Sequence, residues 1–298
     1  MWEEEIRLEE SDAVINVVPR VDWRSDGSFL IADAQETQFR RYAADGRLVV
    51  AFGGRGEGPG EFAQLGFLHG VALPADLALG IDYSGRFARF DSAGDVLGTG
   101  RLPVVSVADA DLVGDSALVV VGRRTDETVP GRIHLWHLGS ERFLASFYEV
   151  PPPRTILSPI SVSAGTRGLL VTSGLKDTVF VVSPVGANLA TLPVPSDYLR
   201  RFVEPAGQPP PDWFQTFSVI WGALWLADGS ILIQYFDFGK DNKSATFSLV
   251  RMQTNGRKLF ELRDVPQLLA VDARGERLLF VAPGSITPNV LRVARLRM

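Results

Sequence analysis

An internal repeat restricts the folds open to this chain more than any other feature of its sequence. Each copy has an apolar segment, a tight turn, a segment ending in small or acidic residues, a third segment, a glycine-containing turn and a fourth segment. The clearest copy places the turn Ser25-Asp26-Gly27 between apolar residues 21–23 and 29–33. Short segments of this kind, repeating every 40 to 60 residues or so, are typical of β-propeller blades.

Six copies of the repeat account for almost the whole chain. They predict an all-β, six-bladed propeller of four-stranded antiparallel blades, forming one domain over residues 1–298. The sixth copy contains only three strands, and residues 4–9 have the length and pattern of the missing outer strand. We therefore expect the N-terminal strand to close the last blade, which removes an open edge. The copies span residues 15–52, 66–102, 105–148, 158–194, 217–262, and 267–296 with 4–9.

Helical periodicity is almost absent from the chain. The one segment that predicts a helix is 196–202, with Ser196 as its N-cap residue.

Composition excludes several classes of protein. Apolar residues make up 46% of the chain, which suffices for a large core, and no apolar run approaches the ~20 residues that span a bilayer. The net charge of −5 argues against a nucleic-acid-binding protein, because such proteins need a clustered positive surface. The absence of cysteine excludes disulfides and thiolate chemistry. A soluble monomer is expected.

The N-terminus has neither a basic segment nor an apolar segment of the kind found in signal peptides. We expect an extracytoplasmic protein, periplasmic or secreted, whose leader is absent from this chain. A cytoplasmic location and a lipid-anchored origin are the alternatives.

The segment Phe52-Gly53-Gly54-Arg55-Gly56-Glu57-Gly58-Pro59-Gly60-Glu61-Phe62 resembles the connection between blades in NHL-type six-bladed propellers. Asp33 and Asp82 end their strands as in that family, and residues 176–180 resemble a strand of uncharacterised bacterial six-bladed propellers. The resemblance implies the fold but no particular activity, because propellers host unrelated functions. Since a strand rather than a helix follows the glycines, we interpret this segment as a structural turn and not as a phosphate loop.

Long connections occur only between the second and third strands of a blade or between blades, and these lie on one face of a propeller. Their basic residues alternate with acidic ones, which is typical of a solvated surface. Long loops in a compact domain are usually functional. This face and the mouth of the channel are therefore predicted to bind a small molecule, glycan, peptide or protein. The connections are 53–66, 123–131, 149–159, 195–216, 237–244 and 283–289.

The candidate binding residues belong mainly to the aromatic fifth blade. Aromatic rings can stack on sugars or apolar ligands, whereas Phe217, Trp225 and Phe236 are interpreted as core residues. The binding candidates are Trp213, Phe214, Trp221, Tyr235 and Ser161.

The alternative function is a hydrolase or lyase, of a lactonase-like and metal-dependent kind, acting in the channel. Asp109, His69 and Arg20 are the candidates for its acid/base and charge-stabilising groups. The three histidines do not form a zinc set, so no metal site is assigned. Calcium is left open through Asp109 with Asp33 and Asp82, although hydrogen bonding to the following turn is favoured for the last two.

Overall fold

The protein is a six-bladed β-propeller, as a computed structural model shows, and each blade is a four-stranded antiparallel sheet. The fold prediction is therefore confirmed. The structure describes residues 2–9, 20–33, 36–63, 68–74, 78–126, 132–147, 160–240, 244–272, 274–282 and 290–296.

Among the residues that the structure describes, the strands follow one another with almost no helix between them. In chain order they are β1 (Trp2–Arg7), β2 (Arg20–Trp23), β3 (Phe29–Asp33), β4 (Gln38–Tyr42), β5 (Leu48–Gly53), β6 (Leu68–Ala72), β7 (Ala78–Asp82), β8 (Arg86–Phe90), β9 (Val96–Arg101), β10 (Val104–Val113), β11 (Ala117–Arg124), β12 (Ile133–His137), β13 (Arg142–Phe147), β14 (Ile160–Gly165), β15 (Gly168–Ser173), β16 (Thr178–Val182), β17 (Asn188–Pro193), β18 (Ser218–Trp225), β19 (Ile231–Phe238), β20 (Ala245–Met252), β21 (Lys258–Val265), β22 (Leu268–Val271), β23 (Arg277–Val281) and β24 (Val290–Arg295). A single-turn 3-10 helix spans Trp213–Thr216. Within the described part of the chain, no helix has the length and apolarity to cross a membrane.

Five sheets are formed from consecutive strands, β2 to β5, β6 to β9, β10 to β13, β14 to β17 and β18 to β21. The sixth has the order β1-β24-β23-β22, so the N-terminal strand is the outer strand of the last blade. This confirms the predicted pairing of the chain ends. The pairing is antiparallel, with Ile6 opposite Leu291 and Arg7 opposite Val290.

Burial follows strand position within a blade. The second strands β3, β7 and β15 are buried along their whole length, which explains their continuous runs of apolar and small residues. The outer strand β9 is largely exposed, and its glycines and polar residues fit that position. The local pattern of these four strands therefore agrees with their places in the blades.

Two compact units make up the chain. The first comprises residues 1–117, 122–129 and 267–298. One of its cores is built around the closing strand, where Ile6 and Leu8 are buried with Tyr42, Leu291 and Val293. The N-terminal strand is thus packed into the first unit by its side chains as well as by its backbone.

The second unit comprises residues 118–121 and 130–266. Its main core joins apolar residues of β16, β18, β19 and β20, with Tyr235 and Val250 fully buried. A second, aromatic cluster surrounds Phe217.

The predicted helix over 196–202 is wrong, because the segment is irregular in the structure. Ser196 nevertheless behaves like a capping residue, since its Oγ accepts hydrogen bonds from the amides of Tyr198 at 3.1 Å and Leu199 at 2.9 Å. The amide of Asp197 donates to Glu261 on β21 at 3.1 Å. Side-chain contacts with β21 therefore replace the helical bonds that the local sequence favours.

The glycine-rich connection is a structural turn, as predicted. Phe62 is fully buried, and its amide donates to the Gly54 carbonyl at 2.8 Å. The Arg86 guanidinium donates to the carbonyls of Gly56 and Gly58, and the Gly58 amide donates to the Glu61 carboxylate at 2.7 Å. The Glu61 carboxylate therefore occupies the Gly58 amide, which is the kind of donor that a phosphate loop offers to a ligand, and Arg86 holds the carbonyls of the same turn.

Candidate functional site

Trp221 projects from the innermost strand of the fifth blade at a β-bulge. In β18, Ile220 pairs with Tyr235 and Gly222 pairs with Gln234, so Trp221 is the extra residue. Its side chain is 42% exposed, whereas Ile220 is 2% exposed. Bulges redirect side chains and are frequent next to functional sites. An exposed tryptophan at such a position is the strongest candidate contact residue in the second unit.

A packed set of rings supports Trp221. Its indole meets the ring of Phe236 edge-on at 5.7 Å, and Phe236 meets Phe238 at 5.1 Å. Phe238 in turn contacts Phe214 at 5.4 Å. Interlocked aromatic pairs restrict one another's rotation, so Trp221 presents its exposed area on a rigid base.

Trp213 and Phe214 lie in the 3-10 helix, where they cover the buried ring of Phe217. Both are partly buried, and Trp213 also meets Phe202 edge-on at 5.7 Å. Their packing shows that the proline-rich connection is held down on the fifth blade. They remain candidate binding residues, but part of each ring is buried against the aromatic cluster.

A polar pocket of about 170 Å³ lies beside this cluster. Its walls combine the connection that follows β15 with the one that precedes β18. Lys176, Asp177, Arg200 and Arg201 line it together with apolar side chains such as Phe202. Pockets for drug-sized ligands measure roughly 300–1,000 Å³. This pocket therefore has room for one side chain or one substituent of a larger ligand.

Two arginines of this pocket are held by acidic partners. Arg200 forms an ion pair with Asp237 at 2.8 Å, and Asp237 also accepts a hydrogen bond from Ser218 Oγ at 2.6 Å. Arg201 pairs with Asp177 at 2.7 Å, but its side chain is 80% exposed. Exposed ion pairs contribute little to stability and exchange readily with water, so Arg201 is the more accessible of the two arginines.

The buried carboxylate of Glu261, on β21, binds the start of the connection between β17 and β18. Burial tends to raise the pKa of Glu261, but hydrogen bonds to the carboxylate outweigh this effect and hold the pKa below its usual value. Burial raises the pKa of Tyr235, so its hydroxyl stays protonated and donates to Glu261 at 2.9 Å. The other donors are Ser196, the Asp197 amide and Lys258. This network is structural, because a carboxylate with a lowered pKa is a poor general base at neutral pH.

Of the remaining binding candidates, Ser161 lies next to Gly222, the residue that follows Trp221, and Tyr235 is not at the surface. Ser161 is partly buried on β14, and its Oγ is 3.4 Å from the position a Cβ would take at Gly222. Tyr235 is fully buried in the main core of the second unit. Ser161 therefore stays in the candidate set with Trp221, whereas Tyr235 is a core residue whose hydroxyl donates to Glu261.

The candidates for catalysis occupy three innermost strands of the first unit, where β6 contacts both β2 and β10. His69 and Asp109 are buried, and Asp109 Oδ1 accepts from the Ala110 amide at 2.9 Å. Arg20 begins β2, and its side chain lies outside the described residues. Within the described residues, no group of three or more histidine and acidic side chains could hold a metal ion.

Asp33 and Asp82 have the structural role that we favoured for them. Asp82 Oδ1 accepts hydrogen bonds from the Ser84 amide and hydroxyl at 2.9 and 2.8 Å. Asp33 accepts from the amide of Glu36 at 3.2 Å and lies 3.5 Å from Arg40. Both carboxylates are thus engaged with the turns that follow their strands.

Comparison with known proteins defines a fold and no family. No family model matches the sequence, and no curated protein matches it. Solved structures do match. A member of the DUF4221 family from Bacteroides vulgatus superposes with a TM-score of 0.69 at 8% identity, over 99% of this chain and 96% of that one.

Two further structures extend the comparison. A candidate exported protein from Bacteroides fragilis gives a TM-score of 0.62 at 12% identity, over 99% of this chain and 95% of that one. Virginiamycin B lyase from Staphylococcus aureus gives a TM-score of 0.56 at 10% identity, over 98% of this chain and 99% of that one. At these identities the similarity establishes the propeller fold alone.

Proposed function

We propose that this propeller is a non-enzymatic binding protein that recognises a peptide or a glycan through the connections around its fifth blade. The observation that carries the proposal is the bulged Trp221, which is 42% exposed on the innermost strand. A pocket of about 170 Å³, lined in part by the preceding residue Ile220, would accept one side chain or substituent. A rigid exposed ring beside a small polar pocket suits an extended ligand that is contacted at several points.

Replacing Trp221 with alanine tests the proposal directly. Ligands would first be selected with the wild-type protein from a peptide library and a glycan array, which separates the two ligand classes. Truncating a central aromatic contact residue commonly costs about 2 kcal/mol or more, so W221A should weaken binding roughly 10-fold or more.

The matched control is Trp2→Ala. Trp2 is 39% exposed and meets Phe280 edge-on at 5.3 Å, so it reproduces the exposure and packing of Trp221 at another place. W2A should retain wild-type affinity. Equal affinities of W221A and wild type for the selected ligand would refute the proposed surface.

The alternative proposal is a hydrolase or lyase centred on the first unit. Its support is the burial of His69 and Asp109 on the adjacent innermost strands β6 and β10, because buried polar residues at such positions are often functional. Metal analysis of the purified protein would favour this alternative if it found stoichiometric calcium or zinc that Asp109→Asn removes.

The relation to NHL-type propellers and the cellular location are also proposals. The segment from Phe52 to Phe62 supports the first, and solved structures of closer NHL-type relatives would test it. Action outside the cytoplasm is supported by the similarity to a candidate exported protein, and fractionation of native cells would test it. Light scattering would test the proposed monomer.

A further inference from the structure

The first unit contains a larger cavity, of about 360 Å³, between the first and sixth blades. The turn between β2 and β3 forms one wall, and the turn between β22 and β23 forms the other. Its volume falls within the range of small-molecule sites. These short turns join the first and second strands of their blades, whereas the proposed function uses long connections. The two sites have no lining residue in common.

Arginine is the dominant residue of this cavity. Arg24, Arg274, Arg277 and Arg295 line it in a chain whose net charge is −5. Arg24 comes from the first blade and the other three come from the sixth. Guanidinium groups bind phosphate and carboxylate through paired hydrogen bonds, so several of them around one cavity favour an oxyanion.

Arg277 is neutralised by an acidic residue of the same wall. Arg277 Nε donates to Asp272 at 3.1 Å, and its guanidinium lies 4.7 Å from the centre of the Trp23 ring. Asp272 also accepts hydrogen bonds from the amides of Glu276 and Arg277 at 2.8 and 3.0 Å. This pair therefore forms a fixed part of the wall.

The other acidic groups leave Arg274 and Arg295 available to a ligand. Asp26 Oδ1 is directed into its own turn, where it accepts from the Ser28 amide and hydroxyl at 2.8 and 2.6 Å. Arg295 lies 3.5 Å from Glu3, and both side chains are about half exposed, so a ligand can displace this pairing at little cost. Arg274 is exposed and makes no hydrogen bond or ion pair with any residue that the structure describes. Glu276 is the one remaining carboxylate among the described residues that line the cavity.

We propose that this cavity binds a small molecule carrying a phosphate or carboxylate group, held by Arg274 and Arg295 of the sixth blade beside the β2–β3 turn of the first blade. Such a ligand lies between the two blades that the N-terminal strand joins. Because it binds only the folded chain, it also raises the unfolding temperature.

Calorimetric titration with inorganic phosphate and with citrate, at constant ionic strength, tests the proposal and separates the two chemistries. At least one of them should bind saturably to the wild type and raise its unfolding temperature. The double variant Arg274→Gln/Arg295→Gln should weaken that binding at least 10-fold and abolish the temperature shift. Arg274→Gln alone should weaken it several-fold, and it keeps the test valid if loss of the Arg295–Glu3 contact destabilises the fold.

Arg257→Gln is the matched control, because Arg257 is another arginine on a short turn and donates to Gln253 at 3.1 Å. It should bind like the wild type. The proposal is overturned if neither oxyanion binds saturably, or if R274Q and the double variant bind as tightly as R257Q.

Discussion

Gly46 lies where the N-terminal strand contacts the first blade. Replacing it with alanine tests how much this contact contributes to the free energy of unfolding. Its φ is +89°, and a Cβ at this position would lie 2.3 Å from the carbonyl oxygen of Arg7. The Gly46 carbonyl also accepts a hydrogen bond from the Glu9 amide at 2.8 Å. Gly256 lies in a turn with the same backbone bonds and a φ of +86°, yet a Cβ there would meet nothing within 4 Å.

The two substitutions share one cost and differ in another. A left-handed φ costs a residue with a Cβ about 1–2 kcal/mol, and this applies to both variants. In G46A the N-terminal strand must also move, which weakens or breaks the hydrogen bond from the Glu9 amide. Such a bond contributes about 1 kcal/mol. The movement also disturbs Ile6, whose complete truncation would cost about 2–5 kcal/mol. We therefore expect G46A to be less stable than G256A by about 2 kcal/mol.

Urea unfolding followed by circular dichroism measures this difference. With a slope of about 3 kcal/mol/M, the midpoint of G46A should lie roughly 0.7 M below that of G256A. If the two midpoints agree within about 0.2 M, the N-terminal strand does not press on this turn and the reasoning fails.

Three further predictions concern the same scaffold. Deleting residues 2–9 removes the outer strand of the sixth blade and at least about 4 kcal/mol of side-chain burial, so the protein should unfold or aggregate. Circular dichroism and light scattering would show this, and a folded monomer would contradict it. Because the pKa of Glu261 is lowered in the folded protein, its contribution to stability is present above about pH 4.5 and is lost as the pH falls through the folded-state pKa. The difference between the urea midpoints of wild type and Glu261→Gln should therefore shrink from pH 7 to pH 4, and a constant difference would disprove it. Asp228→Ala should cost about 1–3 kcal/mol and more than Asp26→Ala, since only Asp228 also binds the buried Arg251; equal melting temperatures would count against this ranking.

The architecture could be predicted because it depends on patterns that repeat along the chain. Turn residues such as those at 25–27 and 254–256 recur at fixed places between short apolar strands. The incomplete sixth copy predicts the pairing of β1 with β24, because an open sheet edge is unfavourable. The predicted helix at 196–202 failed because contacts with Glu261, which is more than 60 residues away, outweigh local helical preference.

The candidate sites could be predicted only in part. Trp221 and its aromatic neighbours stand out in the sequence because the fifth blade is rich in rings. The loss of Tyr235 from the surface set and the exposure of Trp221 depend on register, since one extra residue in β18 moves a side chain from one face to the other. No local pattern in this sequence marks that extra residue.

The repeat pattern was sufficient to predict the six-bladed fold, the closing strand at the N-terminus and the structural roles of Asp33, Asp82 and the glycine-rich connection. Each of these depends on interactions between segments whose spacing the repeat already specifies. Which arginines line one cavity, in contrast, could be seen only in the folded protein. Arg24 and Arg274 lie 250 positions apart and line one cavity because the first and sixth blades are neighbours. Surface charges are not constrained by the packing of strands, so their grouping becomes visible only when the blades are assembled.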